Sequence, residues 1–332
     1  MMGLSFPVLL LLVIGFFFGW LLLLKFKLLF ISLLALILGY KSIAVFIGFN
    51  APVSFTTQKQ TGAIRVVSWN VARFIELARN NNAGSNIRKK MLALLKEQKA
   101  DILCLQEFHT SENPGFYNNI RAIREELGFS YHYFPYDKDG DRNYYSSVIF
   151  SRFPIVDSAL LRYPRPSQPE VLVQADIQVN NDTIRVFTTH LQSQRFDKLD
   201  YARMQKIKSR EDSLVYHSIP IVAKLKRGIV IRSIQADIIE EVRNNSPYPV
   251  LFTGDLNDVP NSYTYFKVRG ELRDAFLEKG YGLGRTFRGL SPTLRIDYIF
   301  SDSRFSVAQF KREKKNYSDH YMLVADLQLN NP

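Results

Sequence analysis

VLFTGDLNDVP, residues Val250 to Pro260, begins as the kind of apolar run that forms a buried strand and stops abruptly in Gly254, Asp255, Asn257 and Asp258. Asp, Asn and Gly hydrogen-bond their own backbone and accept positive φ, so clusters of them commonly do no more than close a strand. A rigid strand is also a good platform from which to aim carboxylates at a cation or a water molecule. The rest of the chain decides between a turn and a site.

Other strand-like runs end in the same way. IRVVSWN ends in Asn70, DILCLQE in Glu107 and IRVFTTH in His190; LRID turns on Asp297, and KKNYSDH reaches Asp319 and His320 just before the last apolar run. Taken singly, each has an ordinary explanation. Asn70 can be a turn residue, Glu107 an exposed carboxylate, His190 a core histidine, and Asp297 a same-face partner of Arg295. The ordinary explanations do not account for all of them recurring at one structural register. Together they are the residue types that bind a hard divalent cation and move protons.

Composition sets the frame. The 332 residues are 46% hydrophobic and 13% aromatic, which excludes a disordered chain and allows one large domain with an appendage. The single cysteine, Cys104, lies inside the apolar run DILCLQ and reads as a small buried hydrophobe; neither a disulfide nor a cysteine-based zinc site can form within one chain. The runs IRVVSWNV, ADILCLQEF, SSVIFSRF, VLVQADIQV, DTIRVFTTHL, YPVLFTGDL, LRIDYIFSD and YMLVADLQL read as strands. Residues 86–99 and 116–127 carry helical spacing, the second stopping at Gly128, and the stretch between His190 and Pro249 reads as two helices broken near Ser218 to Pro220. Strands this apolar on both faces imply sheet packed on sheet with helices outside. KREKK, Lys311 to Lys315, reads as a solvated loop.

The first 50 residues contain no acid, and two long apolar runs flank the basic break Lys25-Phe26-Lys27. Two membrane spans, about 4–24 and 28–49, fit this better than one helix or a cleaved signal, followed by a linker over 51–62 and a domain over 63–332. With Lys25 and Lys27 on the cytoplasmic side, the domain falls on the non-cytoplasmic side. Six of the 43 bases and none of the 31 acids lie in residues 1–75, so the formal +12 leaves only +6 beyond them. That mild excess suits an anionic substrate or lipid surface without requiring either.

In this order, WN, LQE, SRFPI, TTHL, GDLN, RIDYIF and SDH resemble the endonuclease/exonuclease/phosphatase superfamily, the relatives of deoxyribonuclease I and the abasic endonucleases. The resemblance spans roughly Ile64 to Leu329, and the joined spans are similar to an arrangement in bacterial membrane-anchored members, which implies the inner membrane. It implies an α/β fold, a four-layer α/β/β/α sandwich preceded by transmembrane helices. Glu107 would be the principal ligand of Mg²⁺ or Mn²⁺, with Asn70 close to it and Asp319 a ligand at a second position. Asp255 would take the proton of the attacking water and Asn257 orient it. Asp297 would hold His320, which donates to a phosphate oxygen, and His190 would contact the phosphate from the other side. The acid that partners the histidine matching His190 has no match in DKDGDRNYYSSVIF beyond Asp137, Asp139 and Asp141. Tyr144 and Tyr145 are candidates for a substrate-binding tyrosine.

Independent chemistry agrees, because a phosphoester transition state calls for a cation, imidazolium donors and a positioned base. The expected function is a membrane-anchored, divalent-metal-dependent phosphodiesterase acting on nucleic acid or a phospholipid head group, held to the bilayer by residues 1–50. The alternatives are a phosphomonoesterase of the inositol-phosphate type and a domain that binds a phosphorylated ligand without cleaving it. No basic stripe with interleaved aromatics singles out nucleic acid, and no protein partner follows from the sequence.

Overall fold

The computed structural model describes residues 2–78, 83–166, 170–194, 196, 198–208 and 214–330. Three helices open the chain: α1 (Met2–Leu22), α2 (Phe26–Leu38) and α3 (Tyr40–Phe46). The short strand β1 (Gly48–Phe49) follows, then β2 (Ala63–Asn70), a 3-10 helix (Ala72–Ala78), α4 (Ala83–Glu97), β3 (Ile102–Ser111), α5 (Asn119–Leu127), β4 (Tyr131–Tyr133) and β5 (Asn143–Ser151). β6 (Ile155–Arg162), β7 (Val171–Val179), β8 (Asp182–His190), α6 (Lys198–Lys208), α7 (Leu214–Asn244) and β9 (Val250–Asp255) complete the middle. The chain closes with α8 (Tyr263–Arg269), β10 (Arg273–Asp274), α9 (Ala275–Lys279), β11 (Tyr281–Gly282), β12 (Asp297–Ser301), β13 (Phe305–Glu313) and β14 (Met322–Leu329).

Two six-stranded sheets form, ordered β13-β14-β2-β3-β5-β4 and β10-β12-β9-β8-β7-β6. Each has one parallel pair near its centre, β2 with β3 and β8 with β9. Because side chains alternate across a strand, a wholly apolar strand feeds two cores at once. Ile64, Val66, Ile102 and Cys104 turn inward to meet Val173, Ala175, Val186 and Leu251 of the other sheet. Val67, Trp69, Leu103 and Leu105 turn outward under Met91, Leu95 and Ile123 of α4 and α5. On the far side Phe187, Phe252 and Phe300 carry Ala236 and Ile239 of α7 and Tyr265 of α8. The result is the four-layer α/β/β/α sandwich. Cys104 is fully buried in the middle layer, and burial pushes its thiol up to about 12.

Two expectations need correction. The proline at 220 does not break a helix: α7 runs continuously from Leu214 to Asn244 through Pro220, at the cost of one intrahelical hydrogen bond. Lys311 to Glu313 are not loop but the end of β13, paired with Met322 to Val324, and only Lys314 and Lys315 stand in the loop. Their charge disguised an edge strand, since edges are commonly protected by charged side chains. The apolar N-terminus divides unevenly. α1 is long and apolar enough to cross a membrane, whereas the second segment is split by a 59° bend at Gly39 and ends at Phe46, with Gly48 and Phe49 already paired to Gly282 and Tyr281.

Gly254 is the position where the backbone tolerates least. A Cβ there would press into the carbonyl of Thr189 on the neighbouring strand, so only glycine lets β8 and β9 close in parallel. Gly254→Ala is therefore expected to destabilise the protein by about 1–3 kcal/mol, as over-packing commonly does. Urea unfolding of the detergent-solubilised chain measures this, and an unchanged midpoint would show that the pairing has slack.

Candidate active site

Strand register assembles the site before any side chain acts. In the second sheet His190 pairs with Asp255 across β8 and β9, and Asp297 pairs with the same Asp255 across β12 and β9. In the first sheet Asn70 pairs with Gln106, one residue before Glu107. The register of β3 with β5 shifts between Leu105 and Phe108, and Glu107 sits there at φ 48°, a left-handed conformation that few non-glycine residues adopt. Such a bulge re-aims a side chain, and Glu107 faces the cleft half-exposed while Gln106 turns inward, fully buried. Gln106 then ties the two sheets together through Ser68 Oγ and Thr188 Oγ1.

The groups converge on one oxygen. Asp255 Oδ2 lies 3.1 Å from Asn70 Nδ2 and 3.6 Å from Nε2 of both His190 and His320. Its other oxygen accepts from the Asn257 backbone N–H at 2.8 Å. Asn70 Nδ2 also reaches Glu107 Oε1 at 3.2 Å, and its own carbonyl accepts from Ala72 N, so as placed Asn70 supports both carboxylates as a donor. His320 Nδ1 lies 2.9 Å from Asp297 Oδ2. Glu107, His190, Asp255, Asn257, Asp319 and His320 line a common cleft of about 280 Å³.

The SDH turn is pinned from several sides. Ser318 Oγ donates to the Asn70 carbonyl at 2.8 Å and accepts from His320 N–H, while Trp69 Nε1 donates to the His320 carbonyl at 3.0 Å. Thr286 Oγ1 accepts from the backbone of both Ile296 and Asp297. These bonds fix the imidazole and its carboxylate before any substrate arrives.

Both histidines are held as imidazolium. Burial opposes the charge on His320, yet Asp297 and Asp255 outweigh it and lift its pKa to about 10. Burial likewise opposes the charge on His190, and Glu170, Asp255 and Glu107 raise it to about 10. Asn257 Nδ2 stands 2.9 Å from His190 Nε2, a contact that suits a neutral ring. Asn257 Nδ2 also donates to the Leu191 carbonyl at 2.9 Å, which fixes the amide, while carboxylates at 3.3, 3.6 and 3.7 Å around the ring favour its charged form. Burial and then Asp297 raise Asp255, partly offset by His320 and His190. Asp255 is thus a stronger base than an exposed carboxylate, kept ionised by its two cations.

The acid absent from DKDGDRNYYSSVIF is Glu170, whose Oε2 is 3.3 Å from His190 Nδ1, though the ring N–H is not aimed straight at it. Asp137 and Asp139 are engaged elsewhere, with Arg162 and Arg73. The signal for Glu170 was present in the hairpin: β7 and β8 pair from Val179↔Asp182 to Leu172↔Thr189, so continuing the register places Val171 opposite His190 and Glu170 one residue beyond it. Of the two tyrosines, strand alternation separates them. Tyr144 packs with Tyr136 against the outer core. Tyr145 faces the site, its hydroxyl pushed well up by burial and then by Glu107 and Glu170, with the Arg73 guanidinium 3.9 Å over its ring. Arg73 was not anticipated.

Five carboxylates, Glu107, Glu170, Asp255, Asp297 and Asp319, gather around two histidines, which leaves the cleft negative. A divalent cation would offset that charge, and the donor set fits one: Glu107 offers a half-exposed carboxylate and Asp319 an exposed one, both hard oxygen ligands. Oxygen and nitrogen atoms of Asp255, Asp297 and His320 also lie within 4.8 Å of one another. His320 and Asp297 are already joined there, which leaves Glu107 the principal candidate ligand.

Residues 67–320 match the model of the Endonuclease/Exonuclease/phosphatase family. No curated protein sequence matches the chain. Among solved structures, an endonuclease/exonuclease/phosphatase from Beutenbergia cavernae is 19% identical with a TM-score of 0.58, covering 82% of this chain and 72% of that one. The human Nocturnin catalytic domain with bound sulfate anion is 17% identical, TM-score 0.54, covering 82% and 97%. D. rerio TDP2 complexed with single strand DNA product is 16% identical, TM-score 0.50, covering 80% and 99%. At these identities the structures establish the fold.

Glu170→Gln is expected to lower the His190 pKa from about 10 toward its ordinary 6.5, which imidazole NMR titration reads directly. A raised histidine pKa stabilises the folded state fully below about 6.5 and loses that contribution as pH climbs through about 10. The stability gap between parent and variant should therefore close over that window, and a gap independent of pH would dismiss Glu170 as the charge partner.

Proposed function

This chain belongs to the endonuclease/exonuclease/phosphatase family of metal-dependent phosphoester hydrolases, and on that premise we propose a membrane-anchored phosphodiesterase that uses Mg²⁺. The observation that carries the reading is the position of Asp255 Oδ2, within 3.6 Å of two histidines that are charged at neutral pH.

Asp255 is the general base. Its Oδ2, the oxygen that faces both imidazoles, takes a proton from the attacking water, while Asn257 holds that water in line. His320, oriented by Asp297, donates its Nε2–H to a nonbridging phosphate oxygen. His190, charged by Glu170, donates from the other side and protonates the leaving oxygen. A divalent ion at Glu107 and Asp319, with Asn70 steadying the carboxylates, would neutralise charge developing on the phosphate. Tyr145 and Arg73 border the same space as phosphate contacts. The sulfate held by the Nocturnin domain supports an anion site in this fold, and the TDP2 product complex keeps nucleic acid among the substrates to be tested. Anchoring rests on the length and apolarity of α1 and on the absence of acids before Glu76.

Assay of the detergent-solubilised chain on a generic phosphodiester and a generic phosphomonoester tests the reading. Diester cleavage should require the divalent ion and vanish with chelator. Asp255→Asn should lower kcat by about 1,000-fold, within the range typical of a lost general base, and Glu107→Gln should raise the metal concentration needed. Release from the monoester alone would replace the diesterase with a phosphatase, and activity undiminished in Asp255→Asn would remove the assigned base.

A further inference from the structure

The cleft is bounded in part by the chain's own first helix. Leu4, in the first turn of α1, lines it together with Val259, Leu290 and Leu294. The same turn is packed onto the domain: Gly3 lies so close to the Asn261 carbonyl that a Cβ would collide with it. The other end of the N-terminal hairpin returns to the same place. Asn261 Nδ2 donates to Ser42 O at 3.1 Å, Arg295 Nη2 to Val45 O at 2.5 Å, and Asn50 Nδ2 to Leu277 and Gly280 carbonyls. Val45 and Phe46 are buried, and Phe6 meets the Phe46 ring edge-on at 5.3 Å.

The remainder of the hairpin stands away from the domain, with α1 almost wholly exposed and Lys25 and Lys27 at its exposed turn. An apolar helix of 20 residues is about 30 Å long, the thickness of a bilayer's hydrocarbon. If α1 spans, its first turn lies at the water boundary, and so does the cleft that Leu4 lines. Around this foot the domain exposes Phe49, Tyr281 and Leu283 on the β1–β11 side, Leu290 at the cleft, and Tyr263 and Phe266 on α8. Aromatic and aliphatic side chains ringing a span are what a membrane–water interface stabilises. A soluble polyanion approaching the cleft would meet this apolar rim.

We propose that the cleft works at the bilayer surface and that its phosphoester is a phospholipid of the same membrane, the apolar part lying beside Leu4 and Leu290. The inference rests on the phosphoesterase reading above. Water adds to the lipid phosphorus and gives its proton to Asp255. One of the two P–O ester bonds breaks, and the departing oxygen leaves as an alcohol with a proton from an imidazolium.

The test uses the full chain reconstituted with Mg²⁺ into vesicles of phosphatidylethanolamine and phosphatidylglycerol, beside soluble bis(p-nitrophenyl) phosphate and a single-stranded oligonucleotide. Release of phosphorylated head group or phosphatidic acid is expected. Leu4→Asp should lower the ratio of lipid to soluble-diester cleavage by about tenfold or more, as loss of interfacial apolar contact would. Because Leu4→Asp can impair insertion, the paired change Tyr281→Asp with Leu283→Asp, on the rim outside the cleft, leaves the span intact and should move the ratio the same way. Metal-dependent cleavage of the soluble diester or the oligonucleotide with vesicle lipid untouched would overturn the lipid inference and leave the phosphoesterase reading standing. A ratio unmoved by both variants would also overturn it. No cleavage of any ester would overturn both.

Discussion

No side chain fits at position 254, and much of the site follows from that. With glycine there, β8 and β9 close in parallel and His190 comes level with Asp255. β12 adds Asp297 on the other flank of the same residue. Three ionisable groups from three distant stretches of chain are thus placed by backbone hydrogen bonds, which are far stiffer than rotamers. The facing sheet contributes Asn70 and Glu107, and the fully buried Gln106 bridges the layers so that the two halves hold their spacing.

Electrostatics then sets a tension that the fold alone does not relieve. Buried carboxylates lift both imidazoles, and the imidazoles in turn keep Asp255 ionised against its burial. The carboxylates still outnumber the cations. A divalent ion would offset that excess. Backbone strain lies at the same residues: Glu107 and Asn257 both hold left-handed conformations, at φ 48° and 51°. Asparagine takes that conformation readily, whereas a glutamate seldom does, so the unusual backbone is at Glu107.

The foot of the N-terminal hairpin joins this chemistry to a place. Arg295, buried beside Asp274 and the rings of Tyr265 and Phe276, uses its remaining reach on the Val45 carbonyl. It stands two residues before Asp297, the first residue of β12, so the carboxylate that orients His320 is close in sequence to the side chain that docks the hairpin. The stretch 51–62 also lies along the domain, with Thr56 bonded to Gln309 and Lys59 paired with Asp101.

Periodicity and strand ends were enough to read the sandwich, the buried Cys104, the helix ending at Gly128 and the residues that gather in the cleft, because each is a property of a few consecutive positions. The exposed edge strands β6 and β13 were not legible, since their mixed polarity lacks the apolar signal of a central strand. Pro220 misled because a proline removes one helical hydrogen bond without always ending the helix that contains it. Glu170 and Arg73 escaped because an ion pair between separate segments leaves no local mark; only the register of β7 on β8 brings Glu170 to His190. The sequence by itself determined which chemistry the chain could carry, through residue types repeated at strand tips. Tertiary structure decided which carboxylate oxygen faces both histidines, which acid lies beside which histidine, and that Leu4 of the first helix borders the cleft, because those depend on distances of a few ångströms between residues far apart along the chain.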